Sequence, residues 1–122
     1  MPRKNDSVID DALPLPAPAF HMLLALSEGE RHGYALKREI LRRTEGKLNL
    51  ASGALYGTIN RMLESGWIEE SEERPDSHLD DERRRYYRIT ALGRRVAAAE
   101  AVRMRDLVRL AESRLHLPAL AR

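Results

Sequence analysis

The stretch 50–67, LASGALYGTINRMLESGW, constrains the fold more than any other part of the chain. Leu55, Ile59, Met62 and Leu63 fall at i, i+4, i+7 and i+8, so on a helix they form one apolar stripe. Ser52, Tyr56 and Asn60 recur every fourth residue on a second stripe, with Gly53, Gly57 and Arg61 beside them. No acidic residue interrupts that second face before Glu64. The apolar stripe requires a core. The other face is small, hydrogen-bonding and cationic, where a helix meant only for water usually mixes its charges. Such a face suits a groove lined with phosphates. The alternative is a plain polar face whose glycines have no task.

The rest of the chain is read around that helix. With 122 residues it is about one domain long, and 43% hydrophobic with 33% charged residues describes a globular protein with a modest core. Lys plus Arg number 21 against 19 for Asp plus Glu, a net charge of +2. Affinity for a polyanion must therefore come from local clustering of charge. The chain has no cysteine, which excludes disulfides, thiolate metal sites and a cysteine nucleophile. Its first residues carry no apolar signal segment, and the longest apolar run, Phe20 to Leu26, is interrupted by His21 and too short to span a bilayer. A cytoplasmic protein with no membrane association is expected.

Residues 1–18 are polar and then rich in proline (Pro14, Pro16, Pro18), which predicts a flexible N-terminal arm, with Pro18 in the first turn of the helix that follows. Arg3 and Lys4 are within an arm's reach of a phosphate backbone, though such an arm is more often simply solvated. Ala19 to Ser27 forms a short helix so apolar that it needs cover on several sides. After a break at Glu28-Gly29-Glu30, the segment RHGYALKREILRRTEG makes a second helix. Its core stripe is Leu36 and Ile40, widened by Leu41, and Lys37, Arg38, Arg42 and Arg43 make the other side basic. Gly33 and Tyr34 lie in its opening turn, where free amides and the helix dipole favour an anion. His32 is expected as a capping or surface imidazole, and Gly46 as the left-handed stop. Asn49 or Ser52 then caps the central helix, and the short connection makes a helix-turn-helix.

Two strands follow, in Trp67 to Glu73 and Arg83 to Ile89, joined by the polar loop RPDSHLDDE. Tyr87 and Ile89 alternate onto the face toward the helices; Arg84, Tyr86 and Arg88 alternate outward, Arg84 and Arg88 toward solvent or phosphate. A hairpin in this place is a wing. Asp80, Asp81 and Glu82 are consecutive, so they alternate sides and do not converge on a metal ion; pairing with Arg83 to Arg85 suits them better. Thr90 caps a last helix running from Ala91 to about Leu117, where Pro118 stops it. Ala97, Ala101, Met104, Val108, Ala111 and Leu115 alternate steps of four and three along it, a heptad seam flanked by Leu107 and Leu110. That seam outlasts the small domain, which predicts a homodimer buried through this helix and through Phe20, Leu23 and Leu24 of the first apolar helix. The expected fold is mainly α with a small β-hairpin wing. It divides into an arm (1–18), a winged helix-turn-helix (19–90), a C-terminal dimerisation helix (91–117) and a tail (118–122).

RHGYALKREI, GALYGTINRMLESGWIEE and RRRYYRITALGRR, in this order, resemble the PadR family of bacterial winged-helix transcriptional regulators over about Phe20 to Arg95. The single long C-terminal helix is similar to the short-tailed subgroup. The resemblance implies a homodimer that binds a palindromic double-stranded DNA operator, commonly as a repressor released by a small effector. Residue by residue, it implies Tyr34 at a phosphate-facing turn and Gly53, Tyr56, Asn60 and Arg61 on the recognition helix, with Ser52 beside them. It also implies Arg83 and Arg84 on the wing. Many members read Ser-Pro-Gly-Thr-Leu-Tyr-Pro where this chain has Ala51-Ser52-Gly53-Ala54-Leu55-Tyr56-Gly57, so the cap serine is displaced to Ser52. The last helix also lacks the aromatics with which drug-binding members hold flat ligands. The competing class is a winged-helix module for protein contacts, which would need neither glycines nor cations on the open helix face. No enzyme is expected: His21, His32, His78 and His116 are scattered and no nucleophile–base pair is visible, nor is a cofactor or metal site.

Overall fold

A computed structural model describes residues 4–71 and 85–118. The elements in order are α1 (Lys4–Ala12), α2 (Ala17–Leu26), β1 (Arg31–His32), α3 (Gly33–Arg43), α4 (Ser52–Glu64), β2 (Ile68–Ser71), β3 (Tyr86–Ile89) and α5 (Ala91–Leu115). The architecture is the mostly helical winged fold expected, with a three-stranded antiparallel sheet in the order β1-β3-β2. The hairpin pairs Ile68 with Ile89 and Ser71 with Tyr86. The loop that joins its strands, including Arg83 and Arg84 and the acidic run Asp80 to Glu82, lies outside the described residues. Among the described residues no helix is long and apolar enough to cross a membrane, and no cluster of His, Asp or Glu could hold a metal.

The apolar stripe of α4 supplies the centre of the core. Leu55, Ile59 and Met62 are buried with Leu36 and Ile40 of α3, Met22, Leu23 and Leu26 of α2, Ile68 of β2 and Val96 of α5. Full burial of each such side chain contributes about 1.5–3 kcal/mol relative to exposure. α4 is shorter than the sequence pattern, and Ala51 stands at its cap position with no side-chain hydrogen bond, so neither Asn49 nor Ser52 caps it. His32 does cap α3: its Nδ1 accepts from the Ala35 amide at 3.1 Å. Gly46, at φ +80°, donates its amide to the Leu41 carbonyl at 2.8 Å, closing the end of that helix.

Several expectations are corrected. Residues 4–18 are not a loose arm. They hold α1, which packs on α5, and Ile9 and Leu15 are buried in the core. The proline run misleads because it terminates α1 and leads into α2 rather than freeing the segment; Pro18 sits in the first turn of α2 as expected. β1 has no signature in the sequence, since two residues show no alternation. Leu23 is fully buried within its own chain and is core rather than a contact for a second copy; Phe20 is half-buried against the same core, and only Leu24 is exposed. Tyr86 is buried although it alternates outward, because the ring of His32 covers it edge-on at 5.5 Å. Arg88 faces Glu69 across the hairpin and its Nε donates to that carboxylate at 2.8 Å, with Glu30 at 3.9 Å, so it is ion-paired rather than open to a phosphate.

α5 leaves the sheet through a tight junction. The Thr90 hydroxyl donates to the Gly66 carbonyl at 2.6 Å, with the Trp67 carbonyl at 3.0 Å, and accepts from the Gly93 amide at 3.0 Å. Gly93 rests directly on strand backbone: a Cβ there would lie 2.0 Å from the Trp67 carbonyl oxygen. About two turns further on, the buried Glu100 carboxylate accepts two bonds from Arg103, at 2.7 and 3.0 Å. The Arg103 guanidinium, together with the Leu15 amide, holds Glu100 below the usual carboxylate range despite its burial. Glu100 thereby ties the α1–α2 connection to α5.

Gly93→Ala should cost about 2 kcal/mol or more in denaturant unfolding, because the contact is with backbone and cannot be relieved by a side-chain rotation. Glu100 binds its proton less tightly folded than unfolded, so its contribution is present above the usual carboxylate range and is lost as pH falls through the lowered value. Glu100→Gln should therefore be less stable than the wild type at neutral pH. The gap in midpoint between the two should close on acidification below that range.

Candidate nucleic-acid interface

The exposed face of α4 carries Ser52, Gly53, Tyr56, Asn60 and Arg61, all open to solvent, with Gly57 half-buried among them. The burial of Leu55, Thr58, Ile59 and Met62 on the opposite side fixes this orientation. Tyr56 leans across to the start of α3. A Cβ on Gly33 would meet its ring at 3.0 Å and its hydroxyl at 3.1 Å, so the missing side chain at Gly33 is what lets Tyr56 lie there. The opening turn of α3 leaves the Gly33 and Tyr34 amides without intrahelical acceptors. Tyr34 is exposed at 58% and the Arg38 guanidinium sits over its ring at 5.9 Å. Tyr34 and Tyr56 thus border one edge of the α4 face, with the positive end of the α3 dipole behind them.

The wing joins this surface through Tyr87. Burial pushes its hydroxyl above the usual phenol range, helped by Glu70 and Tyr56 and opposed by Arg85. The group stays protonated and able to donate. The sequence marks Tyr87 as a core residue only; its nearness to Tyr56 depends on how the sheet sits against the helices. The sequence marks Gly33 only as part of the anion-favouring turn; its role as the seat of Tyr56 depends on a contact between two helices.

The basic side of α3 is less open than its sequence suggests. Arg43 and Arg42 both donate to Glu39, which their bonds hold below the usual carboxylate range. Arg43 also reaches Glu28 at 2.6 Å. That leaves Lys37 and Arg38 as the α3 cations with no carboxylate partner among the described residues. On α4, Arg61 folds back along its own helix, and its Nη2 donates to the Thr58 hydroxyl at 3.3 Å. Of the residues singled out from sequence, Tyr34, Ser52, Gly53, Tyr56, Asn60 and Arg61 thus share one surface, while Arg83 and Arg84 lie outside the described residues.

The seam positions Ala101, Met104, Val108 and Leu115 are exposed, and Ala97 and Ala111 half-buried. Leu107 and Leu110 are exposed at 55% and 50%. Gly93, Val96 and Glu100 are buried one to three turns earlier on the same side of α5. The buried face of α5 therefore runs on, still apolar, past the point where α1 and α2 stop covering it.

Known proteins resemble this chain in sequence and in fold. An uncharacterised protein of Lysinibacillus sphaericus is 32% identical over 73 residues, which cover 60% of this chain and 64% of that protein, just under two thirds of its length. A transcriptional regulator from Clostridium thermocellum superposes with a TM-score of 0.66 at 20% identity, covering 93% of this chain and 97% of that one. RosR from H. salinarum gives a TM-score of 0.62 at 24% identity, over 88% of this chain and all (100%) of that one. These two share the fold. Residues 22–99, which hold the α3 turn, the whole α4 face and the hairpin, match the transcriptional regulator PadR-like family, and the chain belongs to that family.

Proposed function

We propose that this regulator binds double-stranded DNA as a homodimer, with α4 of each copy in the major groove of a palindromic operator, and that it represses transcription until a small effector releases it. One observation carries this: the outward face of α4 is free of acid from Ser52 to Arg61 and is flanked by the anion-ready turn at Gly33 and Tyr34. Asn60 reads adenine through its amide, Arg61 reads guanine, and Tyr34 and Tyr56 hold phosphates on either side. Ser52 and Gly53 keep the start of α4 small enough to approach the base edges. Arg83 and Arg84 on the wing add phosphate or minor-groove contacts. Acting on the chromosome, the protein works in the cytoplasm.

The second copy is argued from α5. Met104, Leu107, Val108 and Leu115 continue a face that is already core at its start, and apolar side chains at these spacings are buried by a like helix. Two α4 helices must then lie about 34–36 Å apart to enter successive major grooves. An effector acts by binding one such spacing better than another.

Selection of bound fragments from a genomic pool at low salt tests the proposal as a whole; an inverted repeat should emerge, and failure to enrich any fragment would defeat it. Asn60→Ala and Arg61→Ala should each weaken operator binding by about 1–3 kcal/mol, measured by fluorescence anisotropy. Val108→Glu places a charge on the seam without disturbing the core, since Val108 is 45% exposed within its own chain. Sedimentation should then show a folded monomer where the wild type is a dimer.

A further inference from the structure

Arg61 does not extend freely from α4. Its Nη2 donates to Thr58 Oγ1 at 3.3 Å, and that hydroxyl in turn donates to the Ala54 carbonyl at 2.8 Å. Its Nη1 lies 3.6 Å from where a Cβ on Gly57 would be. The guanidinium is therefore laid back one turn, about 6 Å toward the start of the helix. Thr58 supplies the acceptor, and the guanidinium lies over Gly57. Thr58 itself is 5% exposed, packed on the core side with its hydroxyl turned to the helix backbone. It cannot reach a ligand lying on the outer face.

We infer that Thr58 is a positioning residue that aims Arg61 at a guanine edge opposite the N-terminal half of α4, rather than at the phosphates beyond its C-terminal end. The inference rests on the proposed DNA binding. Its physical basis is orientational. Guanine is read by two parallel donors, so a guanidinium of fixed plane discriminates, whereas a freely rotating one contributes charge alone. The Thr58 hydroxyl can do this because its proton goes to Ala54, leaving a lone pair for Arg61. The N-terminal residues of a recognition helix are the ones that meet base edges, which is the direction in which Arg61 is turned.

The experiment is competition binding with the selected operator and its full set of single-base variants, on the full chain. Arg61→Ala should relax preference at one guanine in each half-site by tenfold or more. Thr58→Val keeps the shape but removes the hydroxyl, and should relax the same position by threefold to tenfold while binding to random DNA stays at the wild-type level. Thr58→Ser should restore the preference. Gly57→Ala should retain it, since a methyl there makes only ordinary contact with the guanidinium. Thermal melts of each variant establish that it is folded. Three results would overturn the inference: wild-type discrimination in folded Thr58→Val, a loss spread evenly over all positions, or an Arg61→Ala variant that relaxes no single base. In each of these the wild type still binds DNA. A wild type that binds no DNA overturns the proposed function itself.

Discussion

The approach of Gly93 to the Trp67 carbonyl is the contact on which the rest of the molecule depends. It sets the angle at which α5 leaves the sheet, and no residue with a side chain fits between the helix and the strand. Thr90 reinforces it by bonding to both backbones, through its hydroxyl to Gly66 and through its own amide to Trp67 at 3.0 Å. Gly66 and Trp67 in turn end α4, with the Trp67 amide donating to the Met62 carbonyl at 3.0 Å. One short stretch of backbone therefore connects the end of α4 to the start of α5. In a dimer held through α5, this stretch is what converts the geometry of the paired helices into the placement of two α4 surfaces.

α4 itself is shaped by opposite demands on its two sides. The side with Leu55, Ile59 and Met62 must be apolar and well filled, and its position tolerates little change in volume. The outward side must keep hydrogen-bonding groups unspent. On the neighbouring surface several described cations are committed: Arg88 to Glu69, and Arg42 and Arg43 to Glu39. Such pairs on exposed surface contribute little to stability. Their larger effect here is to leave Lys37 and Arg38, rather than Arg42 or Arg43, as the open cations of α3, which matters in a chain whose net charge is only +2.

What could be read from the sequence was local chemistry. The four-residue stripes of α4, the Thr90 cap, the His32 cap and the glycine stop at Gly46 each depend on residues within a few positions of one another. The outward set Tyr34, Tyr56, Asn60 and Arg61 was legible for the same reason, because one helix face and one helix start determine it. What could not be read depends on partners far along the chain. Ile9 and Leu15 look like part of a proline-rich arm until α5 provides the surface on which they bury. Leu23 and Leu24 are adjacent in an almost wholly apolar helix, and only the packed structure separates the core residue from the exposed one. Arg88 reads as free until the hairpin register sets it opposite Glu69. Tyr56 on Gly33 is invisible because its partner sits at the start of another helix.

The N-terminal segment has a consequence for how a signal could travel. Glu100 lies where the buried half of α5 gives way to its exposed half, and it holds Arg103 on one side and the Leu15 amide on the other. A buried ion pair of this kind contributes less stability than its geometry suggests, because desolvation offsets part of its attraction. Its geometry is nonetheless demanding: α1, the connection to α2 and α5 must all be in register for the carboxylate to be satisfied. A shift of α5 large enough to change the separation of two α4 helices would have to break this arrangement or carry α1 and α2 with it. Since α2 packs on α3 and α4 as well, the second course moves the domain as one body. In the proposed dimer, the fold therefore favours rigid rotation of whole winged units about the α5 seam over bending of α5 at the domain's edge.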